Sequence, residues 1–76
     1  MITPDEITRL IQSEITDAEV AVIDKTGMSD HYIIHVVSDA FQPLGLMDRH
    51  RLVMATLKPA LNDGRLHAAE IQTALP

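Results

Sequence analysis

Tyr32-Ile33-Ile34-His35-Val36-Val37-Ser38-Asp39-Ala40-Phe41 is the stretch that decides the fold. Ile33, Ile34, Val36 and Val37 crowd β-branched side chains into a short run, which predicts a strand over residues 32–37. Ser38-Asp39-Ala40-Phe41 then has the form of a cap followed by a single helical turn, and Gln42-Pro43-Leu44-Gly45 breaks that turn. Upstream, Glu19-Val20-Ala21-Val22-Ile23-Asp24 predicts a second strand. The loop Lys25-Thr26-Gly27-Met28-Ser29-Asp30 between them has hairpin length, so the two strands are expected to pair antiparallel.

Helices flank this hairpin. Thr3 can cap, Pro4 suits the first helical position, and Glu6 completes a capping box. Ile7, Leu10, Ile11 and Ile15 follow at helical spacing. From Leu46 to Leu61 the pattern is helical again, with Leu46, His50, Val53, Leu57 and Leu61 on one stripe. Pro59 removes the bond to the Ala55 carbonyl and is expected to bend the last turns or end the helix early. Asn62-Asp63-Gly64 supplies a stop, and a closing strand is expected over Leu66 to Thr73. The order is α-β-β-α-α-β. It predicts one α+β domain over residues 1–76, with a three-stranded sheet covered by helices on one face. The last strand follows a helix, so it can join parallel to its neighbour.

Composition narrows the function. The chain has 76 residues, 46% of them hydrophobic but only 3% aromatic, so the core must be aliphatic. A domain of this size buries only about 60% of its unfolded surface. There is no cysteine to staple it or to act as a nucleophile. No basic-then-apolar leader or long apolar run is visible, and the expectation is a cytoplasmic protein that neither spans nor anchors to a membrane. The net charge of −5 argues against nucleic acid as a main partner. No glycine-rich phosphate loop or Ser/His/Asp spacing suggests an enzyme.

Without cysteine, metal chemistry must run through imidazoles and carboxylates. His50 lies in the apolar stripe of the long helix and is expected to be largely buried. His35 sits mid-strand and is expected to be half-exposed. His31 ends the Gly27 loop, and His67 follows the Gly64 turn at the mouth of the last strand. If those two strands run parallel side by side, both imidazoles emerge at one edge of the sheet. Two nitrogens cannot complete a tetrahedral centre, so further ligands would come from a partner. Arg49, Arg51 and Lys58, with Arg65 in the turn, offer a small basic surface whose ordinary role is a solvated helix face.

The runs Val36-Val37-Ser38-Asp39-Ala40-Phe41, Arg49-His50-Arg51-Leu52-Val53 and Leu66-His67-Ala68 together resemble the BolA family, in spacing as well as in element order. The resemblance extends over nearly the whole chain, although Pro43 and Leu44 stand where the family carries a glycine and a small or basic residue. It implies a class II KH-like fold, with a helix-turn-helix formed around Phe41 to Leu61. It also implies a monothiol glutaredoxin partner and a shared [2Fe–2S] cluster, in which the glutaredoxin cysteine and a glutathione thiol ligate one side. By position, the family's two ligands on the other side fall on His31 and His67. The expectation is therefore a non-enzymatic adaptor in iron–sulfur cluster assembly, cluster transfer or iron sensing, monomeric or weakly homodimeric when alone. The alternative implied by the family is a transcriptional regulator, with Arg49, Arg51 and Lys58 against DNA.

Overall fold

The computed structural model describes residues 2–27 and 31–76. Six elements follow one another: α1 (Pro4–Glu14), β1 (Glu19–Asp24), β2 (His31–Val37), a 3₁₀ turn (Asp39–Phe41), α2 (Leu46–Asn62) and β3 (Ala68–Ala74). The expected middle helix is thus a single 3₁₀ turn, because Pro43 and Gly45 leave it no room to propagate. Of the expected loop Lys25–Asp30, residues 28–30 lie outside the described residues.

The sheet has the order β1-β2-β3. β1 pairs antiparallel with β2, and β2 pairs parallel with β3. Along β2 the side chains alternate cleanly. Tyr32, Ile34 and Val36 are buried toward the helices, whereas His31, Ile33, His35 and Val37 are half-buried on the other face. Both helices therefore lie on one side. Ile7 and Ile11 of α1 join Val53, Leu57 and Ala60 of α2, with Phe41 from the 3₁₀ turn, over that buried face.

Local chemistry sets the boundaries. Thr3 and Glu6 form the full capping box at the start of α1. The Ser38 hydroxyl accepts from the Ala40 N–H (3.0 Å) and donates to Asp17 Oδ1 (2.5 Å), while Asp17 Oδ2 accepts from the Asp39 N–H (2.9 Å). The lead-in to β1 is thereby tied to the turn that carries Phe41. Asp17 is held below its ordinary value of 3.8, first by the Ser38 hydroxyl and then by the Asp39 amide.

For α2, an early end at Pro59 and a largely buried His50 are both corrected. The helix runs through Pro59 to Asn62. Ala55 and Pro59 both lie at exposed positions of the helix, outside its buried stripe, where the proline is tolerated. His50 is exposed rather than buried. It stands on the expected side of the helix, but the first turns of α2 overhang the core. The tightly packed stripe starts only at Val53 and continues through Thr56, Leu57 and Ala60. Thr56 is buried within it because its hydroxyl donates to the Val53 carbonyl (2.7 Å). Among the described residues, no helix is long and apolar enough to cross a membrane.

Candidate functional site at the mouths of β2 and β3

The parallel register sets His31 against Ala68, Tyr32 against Ala69 and Ile34 against Ile71. His67 comes one residue before Ala68, so the strand mouths bring His31 and His67 to the same end of the sheet. His31 is the first residue of β2 and half-buried, and its carbonyl accepts from the Lys25 N–H (2.9 Å). His67 is exposed. His50 and His35 belong elsewhere, on the overhanging start of α2 and on the open face in mid-β2.

The backbone around His67 is fixed on both sides. Ala68 begins the ladder with β2. On the other side, Leu66 is buried and its N–H donates to the Ala60 carbonyl (3.0 Å), closing the end of α2. Gly64 turns the chain at φ +81°, a conformation that costs glycine little. Asp63 then accepts from the Arg65 N–H (3.0 Å) and from Arg65 Nε (2.8 Å). These donors, the amide first, hold the Asp63 carboxyl below 3.8.

A brace that sequence patterning did not reveal links the two mouths. Ile2 is buried, its N–H donates to the Arg65 carbonyl (3.1 Å), and its carbonyl accepts from the Tyr32 phenol (3.0 Å). One main-chain residue thus connects the neighbour of His31 to the turn before His67. The sequence signal was the tyrosine itself, since a phenol in a strand's buried row requires a partner.

Among the described residues, no group of three or more His, Cys, Asp or Glu side chains is arranged to hold a metal. His31 and His67 share one end of the sheet, and two imidazoles make up half of a tetrahedral ligand set.

The cationic residues separate into different roles. Arg49 is half-buried and its Nε donates to the Leu44 carbonyl (2.9 Å), clamping the connector before α2. Arg51 is exposed and pairs with Asp48 (3.3 Å). Arg65 pairs with Asp63 and, at 3.5 Å, with Glu6. Lys58 is exposed on the same helix as Arg51. The basic surface is therefore smaller than a count of cations implies.

Comparison with known proteins agrees with this architecture. A BolA-like protein of Dictyostelium discoideum is 28% identical over 79 residues, covering 95% of this chain and 69% of that protein. The structure of BolA1 from Arabidopsis thaliana superposes with a TM-score of 0.84 at 27% identity, covering 100% of this chain and 95% of that one. The BolA domain of SufE1 from Arabidopsis thaliana gives 0.81 at 32% identity, covering 96% and 91%. The family model for BolA-like proteins matches residues 10–76, and the chain belongs to the BolA-like family.

Proposed function

We propose that this protein is a non-enzymatic adaptor that shares a [2Fe–2S] cluster with a monothiol glutaredoxin and glutathione, acting in the cytoplasm in cluster assembly, cluster transfer or iron sensing. The observation that carries the reading is the β2–β3 register, with His31 opposite Ala68 and His67 one residue before it. The donor set fits the chemistry. Imidazole is a known replacement for thiolate on one iron of a [2Fe–2S] centre, where it raises the reduction potential. The chain has no cysteine, so every thiolate must come from the partner and from glutathione. In this reading His67 is the principal ligand, because its backbone is fixed on both sides, and His31 is the second.

The test is to mix the protein with cluster-loaded, glutathione-bound monothiol glutaredoxin and record visible absorption and circular dichroism. A new mixed-complex spectrum is expected. It should be lost with His67→Ala, weakened with His31→Ala and retained with His50→Ala. Retention with His67→Ala and loss with His50→Ala would assign the wrong histidine. The regulator reading has less support, since Arg49 is held by Leu44 and Arg51 pairs with Asp48.

A further inference from the structure

We infer that the free edge of β3 is a self-association surface whose occupant is β3 of a second copy of this chain. β3 is an end strand of the sheet, hydrogen-bonded only to β2 among the described residues. The Ala74 carbonyl accepts from the Ser38 N–H (3.3 Å) on the β2 side. Backbone groups alternate in direction along a strand, so Glu70, Gln72 and Ala74 face β2. Ala69, Ile71 and Thr73 consequently turn their N–H and C=O groups outward, away from β2.

The same edge gathers exposed apolar side chains. Leu46, Met47 and His50 of α2 form a groove of about 470 Å³ with Ile71, Gln72 and Thr73. Four large hydrophobic residues are exposed among those described: Leu46 at 74%, Met47 at 66%, Ile23 at 55% and Leu75 at 43%. Three of these lie in that groove or directly after β3, and only Ile23 lies elsewhere.

The sequence of β3 is complementary to itself in the antiparallel sense. With Ile71 opposite Ile71 of the other copy, Ala69 meets Thr73 and Glu70 meets Gln72. The outward-facing residues then fall on hydrogen-bonded pairs, each exchanging two bonds. The one charged residue of β3, Glu70, meets a neutral amide, so no like charges oppose across the join. The arrangement is isologous and closed, with one continuous sheet through both copies and both helix layers on the same side. The same register sets His67 beside Leu75 of the second copy, so self-association restricts access to His67 from that side.

Sedimentation equilibrium from about 10 µM to about 1 mM tests this, because mass action makes a self-paired state concentration-dependent. The average mass is expected to rise toward twice that of the monomer, with slower exchange of the Ile71 and Thr73 amides as it does. Thr73→Pro removes an outward N–H and leaves the β2 ladder intact, so it should keep the protein monomeric with unchanged far-ultraviolet circular dichroism. Leu46→Lys charges the groove at an exposed position and should do the same, and it decides the matter if the proline disturbs the strand. A wild type that stays monomeric throughout, or a dimer that survives in Leu46→Lys, overturns the proposal. So does a dimer in which Ile71 and Thr73 exchange no more slowly.

Discussion

His31 and His67 stand at the same end of two hydrogen-bonded parallel strands because the register sets His31 against Ala68. A one-residue slip of β3 would turn its side chains to the opposite face, burying polar Gln72 in place of Ile71. The core that selects Ile71 for the helix side therefore also fixes where His67 emerges. Position of the candidate site is a by-product of core packing.

His67→Ala should leave folding almost untouched. The side chain is exposed, and the neighbouring backbone is held by Leu66 and Ala68 rather than by the imidazole. A change within about 0.5 kcal/mol is expected from urea unfolding, as for surface positions in general. A loss of several kcal/mol would mean that the imidazole supports the fold and that spectral changes in the variant report unfolding.

Phe41→Ala should be far more costly. Phe41 is fully buried, and it anchors the 3₁₀ turn between the sheet and α2. Truncation of a buried phenylalanine removes about 3–5 kcal/mol, a large share of the stability of a small domain. Urea titration of the two proteins measures it, and a change below about 1 kcal/mol would show that the turn is not held by this ring.

Much of this architecture was legible because local signals agreed. Thr3, Pro4 and Glu6 fixed the start of α1, and the β-branched runs fixed β1 and β2, with β1 matching at both ends. Periodicity failed at His50 because angle around a helix does not say how far the underlying sheet extends along it. The first turns of α2 have the right azimuth but border an open groove beside Ile71, Gln72 and Thr73 of β3 instead of the packed core. The brace through Ile2 was also illegible, since it depends on main-chain bonds between residues distant in sequence. The two histidines could be named from the sequence, but only the parallel β2–β3 register relates their positions.

Acid should loosen the Asp17 latch. The folded-state pKa of Asp17 is depressed below 3.8, first by the Ser38 hydroxyl and then by the Asp39 amide. A depressed carboxylate contributes its stability in full above the unfolded value and loses it as pH falls through the folded value. Asp17→Asn should therefore be less stable than wild type at neutral pH, with the gap narrowing as pH drops below 3.8. Ser38→Ala should cost about 1 kcal/mol through loss of the cap. Thermal melts across an acid series check both, and a gap that stays constant with pH would remove the latch from the account.

DNA should bind weakly at physiological salt. Of the candidate cations, Arg49 is engaged with the Leu44 carbonyl, Arg51 with Asp48, and Arg65 with Asp63 and Glu6. The protein as a whole carries −5. Any association should fall steeply with salt and vanish in the Arg51→Glu, Lys58→Glu double variant. A sub-micromolar, sequence-selective complex measured by fluorescence anisotropy would favour the regulator over the adaptor.

Tyr32→Phe should weaken the brace between the two strand mouths without altering core shape. The phenol donates to the Ile2 carbonyl at 3.0 Å in a buried setting, and no other donor to that oxygen is present among the described residues. Leaving a buried acceptor unpaired costs about 1–3 kcal/mol. In a domain of this size each kcal/mol lowers the melting temperature by roughly 4–8 °C. The effect should also be local. The Ile2 N–H, which donates to the Arg65 carbonyl, should exchange faster, while the amides of α1 beyond its first turn and of the β1–β2 ladder change no more than the global loss requires. Because Arg65 lies in the turn before His67, the same variant should shift the His67 amide resonance more than that of His35 in mid-β2. Equal shifts at both histidines, or an unchanged Ile2 exchange rate, would show that the phenol contributes only to general packing and does not connect the two strand mouths.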